Sequence, residues 1–423
     1  MIESMEPAVI KAGRLIDGTG GKVQEDVGIL VLKGRIAAIG HRDAIEAPAD
    51  ARVIDLGRRT LLPGMVDAHM HFFGVPSHEL HKLPTEREAY RVLRAAGEAK
   101  KMLEAGITAA RCLGSSVGPD LCRAINEGHV PGPRIMAAGE FICSTDGTWD
   151  HIALPIDWAR SLDMIADGVE NLRAIVRRRV RRGAQVIKVG LSKGHHHHHN
   201  HAWGDDPHDE VAAFSLEEVR ALVDEAHLNQ LKVSAHCIGD EAVRNALDGG
   251  VDVIEHGYGI TEDTRRRLVD ENALLVSTIC QLYYHEEAFD PYHYPQHERE
   301  VYRRHIAQMR EDFQKSLSLG VRYALGTDLI GFPTHPQNAA AREFEFAVDW
   351  GMGAMQAIVS GTAVSAEAMG LQKDIGTVET GKLADMIAVD WDPLADITEL
   401  QRVRFVMLGG NVVVDKTKSI LLH

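Results

Sequence analysis

Short apolar runs rich in β-branched residues recur through the middle of the chain, and each is followed by a loop and then a stretch with helical spacing. Between residues 63 and 370 this rhythm repeats eight times. It predicts strands over 64–69, 107–113, 134–138, 185–189, 232–236, 251–256, 273–278 and 322–327. Strands that alternate with helices build a parallel sheet, and eight such units predict a (β/α)8 TIM barrel in an α/β fold. Ser215-Leu216-Glu217-Glu218 reads as a capping box opening one helix. Residues 298–319 form a long polar pattern suited to an outer helix.

The two ends of the chain have a different texture. Residues 8–62 alternate apolar runs at 9–12, 28–32, 35–39 and 52–56 with Gly-rich turns, as a small β-sandwich would. Similar runs return at 385–389, 403–408 and 411–414. The expected division is a composite β-sandwich domain from residues 1–62 and 371–423, with a catalytic barrel over 63–370 inserted between its halves.

A chain of 423 residues with 45% hydrophobic positions can bury both units. Its net charge of −15 argues against nucleic acid as a partner, because phosphate contacts need clustered Lys and Arg. The one dense basic run, Arg177 to Arg182, reads as the solvated face of a helix. Five cysteines, Cys112, Cys122, Cys143, Cys237 and Cys280, show no Cys-x-x-Cys spacing, so a reducing compartment fits. Residues 1–6 lack a signal-peptide pattern and no apolar run approaches a membrane span of ~20 residues, so the reading is a cytoplasmic protein with no membrane partner.

Candidate chemistry sits where the predicted strands end. His69 and His71 close the first strand, Lys188 lies at the end of the fourth, His236 and His256 close the fifth and sixth, and Asp328 follows the eighth. With 23 His in the chain, about one His-x-His is expected by chance, so the pair alone says little. The order and context carry more, because strand ends of a barrel converge on one face. Residues two apart on a strand point to one side, so His69 and His71 can clasp one metal, with Asp328 closing that site, while His236 and His256 hold a second. A Lys desolvated between two cations is pushed toward its neutral amine, which can add carbon dioxide and present one carbamate oxygen to each metal. Asp67 and Glu255 are candidates for orienting the ligands. Cys237 should point away from the site as a small apolar filler.

These residues resemble the amidohydrolase superfamily, in particular its imidazolonepropionase-like and prolidase-like branch. The stretches Leu62-Pro63-Gly64-Met65-Val66-Asp67-Ala68-His69-Met70-His71 and Gly376-Thr377-Val378-Glu379-Thr380-Gly381-Lys382-Leu383-Ala384-Asp385 carry the resemblance, which covers nearly the whole chain. It implies His69, His71, carbamylated Lys188, His236, His256 and Asp328 as ligands of two divalent ions, zinc first, with manganese, iron or cobalt as alternatives. Two-metal chemistry then gives a hydroxide between the ions that attacks an amide carbonyl, with Asp328 taking the proton and passing it to the leaving amine. Relatives are commonly homo-oligomers.

The substrate should be a small-molecule amide, either peptide-like or an N-acyl amino acid. Tyr258 resembles a position that binds the substrate carboxylate in dipeptidase-like relatives; His151, His335 and Tyr283 lie in loops that could also touch substrate. Relatives usually carry a Gly-Gly-His-Gly-like turn where this chain has Ser144 to His151. Cyclic amides, carbamates and ureas are alternatives. Deamination is disfavoured, because His236 is followed by Cys237-Ile238-Gly239 rather than a His-x-x-Glu, although Glu241 is near. The tract His195 to His201 could load metal or act as a lid, but reads best as an exposed stretch that chelates adventitiously. A non-catalytic His-rich metal-binding protein is the reading from another class.

Overall fold

The structure is a computed structural model that describes residues 6–148, 150, 155–193, 206–208 and 210–417. All eight predicted central strands form, and all are parallel to their neighbours. They are β1 (Met65–Met70), β2 (Ile107–Cys112), β3 (Arg134–Ala137), β4 (Ile187–Gly190), β5 (Val233–Ile238), β6 (Val253–Tyr258), β7 (Leu274–Ser277) and β8 (Arg322–Leu325). Pairing runs β1-β2-β3 in one ladder and β4-β5-β6-β7-β8 in another. Single parallel bridges, Met70 to Leu329 and Ile142 to Val189, join the two ladders at their margins. The sheet is thus of TIM-barrel type but not a continuously paired closed barrel. At the second seam Gly139, two residues after β3, turns left-handed at φ +73°, and the chain bridges β4 at Ile142.

The strands are nearly continuous apolar runs because both faces are covered, with helices outside and packed side chains within. Ala68, Val253, Val276 and Ala324 share one inner layer. The helix Leu216–Leu228 opens with the anticipated capping box, Ser215 and Glu218 each bonding the other's backbone. Helix Val169–Arg181 corrects the expectation of a wholly solvated basic face. Arg177 does lie at the surface, paired with Glu225 at 2.7 Å, but Arg179 is only 1% exposed. Its guanidinium is satisfied inside by the carbonyl of Glu140, 2.8 Å from Nε.

Strands from both ends of the chain share one eight-stranded sheet. Its order is Asn411–Asp415, Phe405–Leu408, Met386–Val389, Thr60–Pro63, Ala8–Leu15, Gln24–Leu32 and Arg35–His41, with Arg52–Asp55 paired beside Ala8–Leu15. The strand Thr60–Pro63 is not among the strands expected from the sequence. It is the joint of the sheet, parallel to Ala8–Leu15 and antiparallel to Met386–Val389. One residue later the chain enters β1. Gly64 makes this possible: a Cβ there would lie 2.0 Å from the Thr108 hydroxyl oxygen. The terminal sheet therefore fixes where β1 starts, and with it His69.

Candidate active site

At the C-terminal ends of the parallel strands a small cavity of about 40 Å³ is lined by His69, His71, Lys188, His236, His256 and Asp328, with Phe73, Gly114, Phe141 and Thr148 completing its wall. The structure thus brings together all six side chains singled out as ligands. Asp328 Oδ1 lies 2.9 Å from His71 Nε2 and 3.3 Å from His69 Nε2. Ligand atoms of His69, His256 and Asp328 lie within 4.8 Å of one another, and the rings of His236 and His256 have centroids 4.5 Å apart.

The local backbone is unusual at two of these positions. His256 and Asp328 have φ of +71° and +56°, a region that costs a residue with a side chain of order 1–3 kcal/mol. Both sit where a strand gives way to its loop, and the left-handed turn is accommodated by the backbone around it: Asp328 N donates to His69 O at 2.7 Å. Asp67 ties the same junction, accepting from His69 N and Thr327 N at 3.1 Å each and from Thr327 Oγ1 at 2.7 Å. It orders the backbone of β1 against β8 rather than a ligand ring. Burial pushes its carboxyl up to about 7.

Electrostatics suit a cation. Burial drives His69, His236 and His256 well below the ordinary imidazole range, so their ring nitrogens offer lone pairs at neutral pH. Burial raises the carboxyl of Asp328, but His69 and His71 more than offset this and hold it below the usual range. Lys188 is 1% exposed, its amine lies 5.4 Å from the Phe141 ring centre, and Nζ has no hydrogen-bond partner among the described residues. Burial lowers it to about 8. A buried amine without an acceptor, beside neutral imidazoles and an ionised carboxylate, fits a site built to hold metal.

Around these ligands lies a shell of which the sequence names Glu255 but not its partners. Arg111 and Glu255 are both fully buried, with Arg111 Nη2 at 2.6 Å from Glu255 Oε1. Glu255 Oε2 faces His69 Nδ1 at 2.9 Å. Thr278 Oγ1 is 2.7 Å from His256 Nδ1, and Glu343 fixes that junction by accepting from Ser277 Oγ, Ile279 N and Cys280 N. A charged residue inside the apolar run Ala109-Ala110-Arg111-Cys112 is the one signal that could have exposed the first of these networks. Cys237 packs into the apolar core, as expected.

The candidate substrate residues are placed less directly. Tyr258 is buried with its hydroxyl 2.9 Å from His305 Nδ1, and His335 is buried with Nδ1 2.6 Å from Thr334 Oγ1. Burial brings His335 down to about 4. Tyr283 stacks on Phe346 at 4.4 Å. None of the three lines the cavity. His151 and the tract His195 to His201 lie outside the described residues.

The mixed α/β fold thus carries, among the described residues, a group of buried His and Asp that could hold a metal ion. The sequence profile of the amidohydrolase family matches residues 60–413, and the chain belongs to that family, whose members act on C–N bonds. It is similar to the ochratoxinase of Aspergillus niger, at 31% identity over 96% of this chain and 86% of that protein. The solved A. niger ochratoxinase superposes with a TM-score of 0.85 at 28% identity, covering 97% of this chain and 96% of the other. A solved Xaa-Pro dipeptidase with methionine bound in its active site gives a TM-score of 0.84 at 29% identity, covering 96% and 99%. No described helix is long and apolar enough to cross a membrane.

Proposed function

We propose that the protein hydrolyses an amide bond in a small molecule bearing a carboxylate, an N-acyl amino acid or a dipeptide, with two divalent ions held by His69, His71, His236, His256, Asp328 and carbamylated Lys188. The carrying observation is the buried amine of Lys188, which has no hydrogen-bond partner among the described residues and lines one cavity with four imidazoles and a carboxylate. Addition of carbon dioxide to that neutral amine forms one N–C bond and releases one proton, leaving a carbamate with two oxygens. The bound ions supply Lewis acidity, polarising the scissile carbonyl and lowering the pKa of water.

The chain's own residues do the rest. Asp328, ionised and beside the ligand histidines, accepts a proton from the attacking water and delivers it to the leaving amine nitrogen. Phe73 and Phe141 form apolar walls that keep bulk water from the reacting carbonyl. Tyr258 is the candidate contact to the substrate carboxylate and His335 a candidate contact to the rest of the substrate, although neither lines the cavity. Relatives named as an ochratoxinase and an Xaa-Pro dipeptidase support this substrate class. The same reading takes the two parallel ladders as one barrel, the terminal strands as a composite sandwich domain, and the protein as a cytoplasmic homo-oligomer.

The test is a panel of N-acyl amino acids and dipeptides assayed before and after chelation. Hydrolysis of panel members that disappears on chelation and returns with zinc or manganese supports the proposal. Activity indifferent to complete metal removal, or none across the panel with any metal, refutes it.

A further inference from the structure

The pair formed by Arg111 and Glu255 crosses the interior of the sheet, and both side chains are 0% exposed. Arg111 reaches from β2 to two neighbours: Nε donates to the carbonyl of Ala68 on β1 at 2.6 Å, and Nη2 to Glu255 Oε1 on β6. Ser234 on β5 donates to the same oxygen at 2.5 Å. Glu255 Oε1 is therefore saturated. Its other oxygen, Oε2, has one neighbour that can share a proton, His69 Nδ1 at 2.9 Å, set off the ideal hydrogen-bond line. The contact does not meet hydrogen-bond geometry, and neither atom has a hydrogen-bond partner among the described residues, so each is the nearest available partner of the other.

Such a pair is a poor device for stability. Desolvating both charges costs about as much as their attraction returns, and apolar residues of similar volume often do as well or better. What only the charged pair supplies is a fixed acceptor facing one nitrogen of one histidine. A ring that keeps its proton on Nδ1 presents the lone pair on Nε2, the nitrogen that faces Asp328 at 3.3 Å.

We infer that Glu255, anchored by Arg111 and Ser234, is a positioning residue that holds the proton of His69 on Nδ1 and so aims Nε2 at the metal, while giving the metal no oxygen of its own. This rests on the reading of His69 as a ligand. Arg111 acts one step further out. It locks the rotamer of Glu255 and ties the carbonyl of Ala68, the residue before His69, so ring and backbone are set by one guanidinium.

Two double variants separate positioning from scaffolding. R111M/E255L removes both charges and the acceptor; R111M/E255Q removes both charges but keeps an amide oxygen for Nδ1–H, with Ser234 available to its NH2. Zinc affinity is measured by competition with a chromophoric chelator, and Tm by circular dichroism. We expect a Tm close to wild type for both, zinc affinity about 10- to 100-fold weaker in the Leu variant, and most of that loss restored in the Gln variant. Equal affinities for the two variants, or a large fall in Tm for both, would overturn the inference. His69→Ala provides the separate check on the underlying site: unchanged zinc affinity there would remove His69 from the ligands, whatever the double variants do.

Discussion

The mouth of the parallel sheet and the sheet built from the chain's two ends are made of the same strand-forming residues, yet they bury opposite things. In the terminal sheet the buried cluster is apolar throughout: Ile10, Leu15, Ile29, Leu61, Met386 and Phe405 pack with no more than 1% exposure. At the mouth, side chains equally hidden from water are His69, Lys188, His256, Arg111 and Glu255. The first kind of burial stabilises the fold at about 25 cal/mol per Å² removed from water. The second kind costs free energy unless every group is paired. Hiding an amine with no hydrogen-bond partner among the described residues, beside two left-handed backbone positions, costs stability there, and such costs concentrate at functional sites.

Substitutions on the two sides should therefore have separable effects. The largest belongs to the mouth. Asp328→Asn should lower kcat by about 10³- to 10⁴-fold, the scale of a lost proton-transfer group, while much of the metal stays bound and Tm changes little. Near-native turnover would remove Asp328 as the proton carrier. Phe405→Ala, in the terminal sheet, should do the reverse, costing about 3–5 kcal/mol in denaturant unfolding while the metal content per folded chain stays at the wild-type value. If metal and stability fell together there, the two regions would not be energetically distinct.

Ile10→Val probes the same apolar cluster more gently and should cost about 1 kcal/mol. A pH-dependent effect is expected at Glu98, a buried carboxyl beside the loop that follows β8. Burial pushes it up to about 7, with Arg94 nearby lowering it in part. Because the folded state holds this proton more tightly than the unfolded chain, Glu98 favours folding fully below about pH 4.5 and loses that contribution as pH rises through 7. The stability of wild type relative to Glu98→Gln should thus fall by on the order of 2 kcal/mol between pH 5 and pH 8. Parallel stability curves for the two proteins across that range would show that the carboxyl does not titrate there.

Much of this contrast is legible in the sequence. The eight central strands stand within two residues of their expected bounds, because each is a short apolar run followed by a loop and a helical pattern. The six mouth side chains are legible from their position at or near the ends of such runs, together with the family resemblance. What stayed hidden depends on contacts between distant strands. Thr278 and Ser234 are ordinary strand-end hydroxyls until the fold sets them against His256 and Glu255. Arg179 looked like one of a solvated run because helical phase places it inward only when the neighbouring loop offers a carbonyl. Tyr283 stands near a strand end, where it could touch substrate, but packing sets its ring against Phe346.

The account turns on Lys188 being shared by two cations. Elemental analysis of the purified protein and of Lys188→Met, each dialysed against metal-free buffer containing bicarbonate, tests this most directly. About two divalent ions per wild-type chain, falling to one or fewer in a folded Lys188→Met protein, is the result expected of a bridging carbamate. Equal metal content in the two proteins would contradict it.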